Sequence, residues 1–475
     1  MLTRLRVRGF KNLVNVDVRF GPFTCIAGPN GVGKSNLFDA ILFLSALADR
    51  SLLEAATGVR LETRSAEAAR IFTRLGARLQ DSILLEADMI VPKRALDDLD
   101  QEAMATITGL RYTVRLRYRS VDGSSVPRIE LAEESLDYIK RGESREAFPF
   151  ARKHKVWLES AFTGRRTSPL ISTEGTTDGT FIRVHEDSGH QGRTRKLKAD
   201  SIGRTVLSTL NTAESPTALV ARREMQSWRL LQLEPSRLRA PDELKSAALL
   251  QADGSGLAAT LYRLLQGADQ TGVRAKLSNR LGELIESVRD VRVDVDEKRE
   301  LITLLVRAVD GVEHRARDLS DGTLRFLALA VLEMDSSWNG TLCMEEPENG
   351  IHPTRIPAML DLLQDLAVDL DDPVDETNPL RQVIINTHSP EVAALVPADS
   401  LLLARGLPNA GLSLSPLSGT WRGDDGPPVP RGHVLEMLNA TRVALGEARE
   451  RRREDAVGLR ADLKQQLDLP LSEKP

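Results

Sequence analysis

The sequence of 475 residues predicts an α/β fold, a mixed sheet with flanking helices that is interrupted by an inserted α+β lobe. Three observations carry this. Apolar residues alternate with polar ones at the start of the chain and again near residues 291–306, the period of half-buried strands. Three short apolar runs end abruptly in polar residues, as buried parallel strands do when they deliver side chains to a site. The stretch between the two halves differs, being rich in charge and broken by Gly, Ser and Thr clusters.

In chain order, Leu5, Val7 and Phe10, followed by Val14, Val16, Val18 and Phe20, read as an antiparallel hairpin. The apolar run 23–27 reads as a strand, 28–35 as a glycine loop, and 36–48 as a helix with Leu37, Ile41, Leu44 and Leu47 on one face. Residues 51–105 carry charged helical patterns. Tyr112, Val114, Leu116 and Tyr118 alternate up to Asp122-Gly123, a hairpin signal. Helical spacing returns at Leu257, Leu261 and Leu264 and across 273–288, before the strands with Val291, Val293, Val295 and Ile302, Leu304, Val306. The runs 340–344 and 383–386 complete the set of buried strands, and the tail after Leu435 is helical with a charged stretch at 449–455. The division expected is 1–50 and 241–405 for the two parts of the core, 51–240 for the lobe, and 406–475 for a helical tail.

Hydrophobic residues at 41% and charged residues at 28% describe a globular chain. The formal charge of -4 excludes a strongly basic histone-like binder, so any nucleic-acid surface is regional. Between Lys140 and Arg204 stand fourteen Lys or Arg against eight Asp or Glu. Cys25 and Cys343 both lie in apolar runs and read as buried reduced thiols. The N-terminal residues alternate charge with apolar side chains, and no stretch has the length and apolarity of a signal peptide or membrane span, so a cytoplasmic protein without membrane contact is expected.

Gly28, Pro29, Asn30, Gly31, Val32, Gly33, Lys34 and Ser35 fit G-x-x-x-x-G-K-S, whose glycines let backbone N–H groups curl around phosphate oxygens. Lys34 then reaches the β and γ phosphates of ATP, Ser35 holds Mg²⁺, and the helix opening near Asn36 turns its positive end to the anion. Ser320 and Gly322, in Leu-Ser-Asp-Gly-Thr ahead of an apolar helical run, offer a hydroxyl and backbone amides at a helix start. The apolar run 341–344 ends in Glu345 and Glu346: the first is suited to hydrated Mg²⁺, the second to deprotonating an attacking water. His388, at the end of the third run, is placed to sense the γ phosphate.

The series GPNGVGKSN, LSDGT, CMEEPENGIHP and NTHSP resembles the ABC-type ATPases of the RecF, SMC and OLD branch. Among these are the stand-alone ATPase subunits of anti-phage systems such as Gabija, Septu and PARIS. The resemblance implies that 28–35 form Walker A, Ser320 and Gly322 the signature, Glu345 and Glu346 Walker B, and His388 the switch. Asn349, Gly350 and His352 fall at the D-loop. Glu345 stands where most ABC proteins carry Asp, and the usual Q-loop glutamine has no assigned position. A signature at a helix start serves a partner's phosphate, so a head-to-tail homodimer around two nucleotides is expected.

The stretch after Pro390 is short for the Toprim nuclease domain of OLD-type proteins, and Asp424 and Asp425 lie in a Gly/Pro loop. His154, His185 and His190 have no clear carboxylate constellation beside them. The expectation is an ATPase switch that associates with DNA and controls a nuclease on a separate chain. A RecF-like repair ATPase without a nuclease, and an ATP-gated scaffold or toxin regulator that does not bind DNA, are the alternatives.

Overall fold

The structure, a computed structural model, describes residues 1–59, 68–76, 78–119, 128–187, 195–212, 214–246, 249–267, 270–285, 288–408, 410–423 and 426–443. Asp122, Gly123, His190, Arg193, Asp424, Asp425 and the charged stretch at 449–455 lie outside these described residues.

Six strands form the central sheet, in the order Arg229–Leu231, Gly340–Glu345, Arg381–Thr387, Phe23–Ala27, Leu401–Leu407 and Gly411–Pro416. The first five run parallel and the last pairs antiparallel at the edge. Alternate side chains feed two cores. Ile26, Cys343, Ile384, Leu402 and Ala404 face the P-loop helix Lys34–Leu47. Leu342, Met344, Val383, Ile385 and Leu403 face helices Leu257–Gln266, Asp321–Met334 and Ile356–Asp365. Burial on both faces explains why these strands read as continuous apolar runs.

An eight-stranded antiparallel sheet covers the other side of the P-loop helix. Its order is Arg195–Lys198, Gly179–Val184, Ile171–Thr176, Arg128–Tyr138, Gly109–Arg119, Ser82–Ile90, Leu2–Phe10 and Leu13–Arg19. The strands of segment 51–240 thus continue the sheet that the N-terminal hairpin begins, and Arg229–Leu231 of the same segment joins the central sheet. The helical expectation for 51–105 is corrected. The helix Leu52–Thr57 and a 3-10 turn at Ala68–Ile71 are followed by the nine-residue strand Ser82–Ile90. Leu, Ala, Glu and Met there favour a helix in isolation, but pairing to strands on both sides, with Ile83, Leu85, Ala87 and Met89 buried, overrides that preference.

The outer face of this sheet is a lattice of cross-strand ion pairs: Arg4–Asp17, Arg6–Glu86, Arg111–Asp88, Arg115–Glu133, Arg119–Glu130 and Arg183–Glu174. The basic excess of residues 140–204 is also spread out. Arg166 is buried against Asp187, Lys140 lies beside Glu143, and Arg195, Lys196 and Lys198 stand exposed on the edge strand.

Inside, Glu134 is fully buried and accepts from the Val206 and Leu207 amides at 2.6 and 2.8 Å and from the Tyr112 hydroxyl at 3.0 Å. That bond set fixes the turn at 205–209, whose Thr205 hydroxyl donates to the Leu47 carbonyl at the end of the P-loop helix, 2.7 Å away. Burial pushes the Glu134 carboxyl up to about 7 against the pull of those donors. In the unfolded chain it ionises near the ordinary glutamate value of about 4.3, so the folded state holds the extra proton between the two. Stability is therefore lost as pH rises from about 4.5 to about 7, by an upper limit of roughly 3 kcal/mol from this group. Denaturant melts at pH 5 and pH 8 are expected to show this fall, and Glu134→Gln is expected to flatten it. An unchanged slope in the variant removes Glu134 as its source.

Candidate functional site

The parallel strands end on one side of the sheet, and a cavity of about 600 Å³ opens there. It is lined by Asn30, Gly31, Gly33, Lys34, Ser35 and Asn36 from the loop and helix, and by Glu345, Glu346, Asn349 and Asn386 from the neighbouring strand ends. Its size suits a nucleotide.

Two glycines of the loop are dictated by close approach. A Cβ on Gly28 would overlap the Ala404 carbonyl, and one on Gly33, at φ 110°, would overlap the Asn12 amide. Asn12, at the turn of the N-terminal hairpin, donates to the Val32 carbonyl at 3.0 Å and accepts from Asn36 Nδ2 at 2.8 Å. Lys11 beside it pairs with Asp39 on the P-loop helix at 2.8 Å. The hairpin turn therefore clamps the loop from outside. Pro29 borders a second cavity with His388, and Val32 is half-buried against Gly406.

Lys34 is 6% exposed and donates to the carbonyls of Gly28 and Pro29 at 2.6 and 2.8 Å. Burial pulls its ammonium below the ordinary lysine value, while Glu346, Glu348 and Glu345 oppose that pull. Glu348, 8% exposed, accepts from the Thr387 hydroxyl, and burial raises its carboxyl above the usual range. Thr387 in turn accepts from the Ser389 amide at 2.9 Å, which fixes the backbone on both sides of His388.

Glu346 adopts φ 46°, left-handed backbone that costs a non-glycine residue about 1–2 kcal/mol. Its amide is held by the Asn386 carbonyl at 2.9 Å. Its carboxylate meets His388 Nδ1 at 2.7 Å and Asn349 Nδ2 at 2.8 Å. Glu345 faces the Asn386 amide at 3.4 Å. The oxygen donors of Ser35 and Glu345 suit Mg²⁺, a hard cation held by one or two carboxylates together with substrate phosphates. Among the described residues no group of three or more His, Cys, Asp or Glu could hold a metal by itself. His154 pairs with Asp371 and His185 with Ser172.

Ser320 caps helix Asp321–Met334 by accepting from the Thr323 amide at 3.2 Å. Neither Ser320 nor Gly322 lines the cavity of its own chain. Gln232 does, directly after the strand Arg229–Leu231. A three-residue strand carries almost no periodic signal, so Gln232 does not stand out in the sequence.

A strand–loop–helix phosphate cradle beside two strand-end carboxylates, on a sheet of this topology, defines a P-loop nucleotide-binding core of the ABC type. A family model described as "AAA domain, putative AbiEii toxin, Type IV TA system" matches residues 198–394, and one described as "RecF/RecN/SMC N terminal domain" matches residues 1–71. The chain is 51% identical over 45 residues to the DNA replication and repair protein RecF of Magnetococcus marinus, 9% of this chain and 12% of that one. It is 49% identical over 41 residues to the OLD nuclease of Thermus scotoductus, 9% of this chain and 8% of that one. The matches thus span an eighth or less of these relatives' lengths. Among solved structures, the Smc head bound to the C-winged helix domain of ScpA has a TM-score of 0.46 at 13% identity, covering 87% of this chain and 97% of that one. The SMC head domain from Thermotoga maritima has a TM-score of 0.38 at 11% identity, covering 88% and 99%. These family models and relatives support an ABC-type ATPase of the RecF, SMC and OLD branch.

Removing the Asn12 side chain deletes two loop ties, each worth about 1 kcal/mol. Asn12→Ala is expected to weaken binding of a fluorescent ATP analogue by about tenfold while the protein stays folded. Wild-type affinity in that variant would show that other contacts shape the loop.

Proposed function

We propose that this chain binds ATP with Mg²⁺, hydrolyses it as a head-to-tail homodimer around two nucleotides, and acts as a DNA-associated switch in a bacterial defence or repair complex. A separate chain carries the nuclease it controls. The observation that carries the enzymatic part is the meeting of Lys34, Ser35, Glu345 and Glu346 at one cavity. The amides of 28–35 and the Lys34 ammonium cradle the β and γ phosphates, exchanging the two carbonyl partners of Lys34 for phosphate oxygens. Ser35 and Glu345 would hold Mg²⁺, which would supply positive charge against the phosphates. Glu346 takes the proton of the attacking water, aimed by its strained backbone and by His388. Gln232 reaches the same cavity from the end of the neighbouring parallel strand and serves as the Q-loop residue.

The exposed Ser320 and the half-buried Gly322, outside their own cavity, support a signature offered to a partner's nucleotide. The RecF and OLD nuclease relatives support a place in DNA metabolism or defence. The family description that mentions a toxin system favours one second reading, a toxin regulator that does not touch DNA. Among the described residues no helix is long and apolar enough to cross a membrane.

Glu346→Gln is expected to keep ATP affinity and slow turnover by at least ~10²-fold. Loaded with ATP it should scatter light as a dimer, and adding Ser320→Arg should abolish that dimer. Wild-type hydrolysis removes Glu346 as the base, and equal association of the single and double variants ends the head-to-tail model.

Neutralising Arg195, Lys196 and Lys198, together with Arg193 outside the described residues, is expected to weaken DNA binding at every sequence alike. It should flatten the salt dependence and leave ATP affinity unchanged. Filter binding over a salt series reads this out. An unaltered slope moves the DNA site elsewhere, and no binding by the wild type favours the toxin-regulator reading.

A further inference from the structure

The signature helix is tied to the nucleotide cavity of its own chain by polar contacts that the roles above do not use. Arg325, near the start of helix Asp321–Met334, lines that cavity and donates to the Asn349 carbonyl at 2.7 Å. Asn349 closes the turn after the Glu345–Glu346 strand end. Its amide donates to the Glu346 carbonyl at 3.0 Å, and its Nδ2 donates to Glu346 Oε2 at 2.8 Å. The other carboxylate oxygen meets His388.

The helix start is anchored twice more. Arg239 donates to the Leu319 carbonyl at 3.0 Å and to the Asp321 carboxylate. Gly322 packs so near the turn that a Cβ on it would stand 3.2 Å from the Gly350 carbonyl. The helix that Ser320 opens is thus joined to the turn at Asn349 through Arg325 and the Gly322–Gly350 approach, and the Asn349 side chain is joined to Glu346. Left-handed backbone at Glu346 needs such outside support, because a non-glycine residue leaves that conformation when its contacts go.

We propose that Arg325 is a positioning residue: through the Asn349 carbonyl it sets the turn that aims Glu346, and it couples that aim to the helix start offered to a partner's nucleotide. The inference rests on the reading of Glu346 as the base. A guanidinium suits the task, since it stays charged and presents a planar fork of donors that holds direction. A nucleotide bound in the partner would shift Ser320, and the shift would reach the base through Arg325 and Asn349.

The test is steady-state hydrolysis and equilibrium ATP binding by the full chain carrying Arg325→Ala, Arg325→Lys or Asn349→Ala. Arg325→Ala and Asn349→Ala are expected to lower kcat by about tenfold or more, with ATP affinity and melting temperature close to wild type. Arg325→Lys, which keeps a donor, should recover part of the rate. In the Glu346→Gln background the same substitutions should add nothing, because they act through the residue already disabled. Wild-type kcat in Arg325→Ala overturns the inference. So does a loss that appears as weaker ATP binding, which would make Arg325 a direct ligand, or an effect that multiplies fully with Glu346→Gln. Should Arg325→Ala fail to fold, Arg325→Met, which keeps the length of the side chain and removes its donors, tests the same contact, and wild-type kcat in it overturns the inference; Asn349→Ala leaves the carbonyl in place and reads only the onward contact to Glu346. A wild-type chain that neither binds nor hydrolyses ATP defeats the underlying reading, and that control is seen before any substitution is made.

Discussion

A parallel sheet covered on both faces shuts its strand interiors off from solvent, so groups that can meet a ligand are confined to the strand ends. In this chain the constraint is strict: every residue of Phe23–Ala27 and Arg381–Thr387 is buried, and Gly340–Glu345 is buried up to its last residue. The glycine loop, Glu345 with Glu346, and Asn386 through His388 all follow from it, as residues at or just past the ends of three adjacent strands. Their convergence needs no long-range design beyond the strand order.

That crowding has an electrostatic consequence. Three carboxylates lie near one buried ammonium; burial drives Lys34 down, and burial together with the neighbouring Glu346 carboxylate drives Glu348 up from their ordinary values. On the proposed reading the balance would improve when phosphates and a divalent cation enter together, because Lys34 would then trade its backbone carbonyls for charged oxygens. The Glu348–Thr387 contact adds a tie between the turn after Glu346 and the strand end that presents His388.

The large antiparallel sheet has a different role. Its outer ion pairs cancel most of its arginine charge, while its inner face packs the P-loop helix and, through Asn12 and Lys11, the loop itself. Glu134 and Thr205 secure the far end of the same helix. The helix that follows the glycine loop is thus held at both ends by this sheet.

The local signals in the chain were enough for the loop at 28–35, the strands that end at Glu345 and Thr387, and the cap at Ser320. Each depends on short-range pattern: glycine placement, apolar runs and a capping hydroxyl. Three features depended on the tertiary structure. Ser82–Ile90 became a strand because partners on both sides outweigh its helix-forming residues. Gln232 gained a place only when its three-residue strand docked beside Gly340–Glu345. The links from Arg325 to Asn349 and from Asn12 to Val32 join residues far apart in the chain, and no local period encodes which distant carbonyl a side chain will meet. Local pattern decided which groups could act on a phosphate, and packing decided how they are held and aimed.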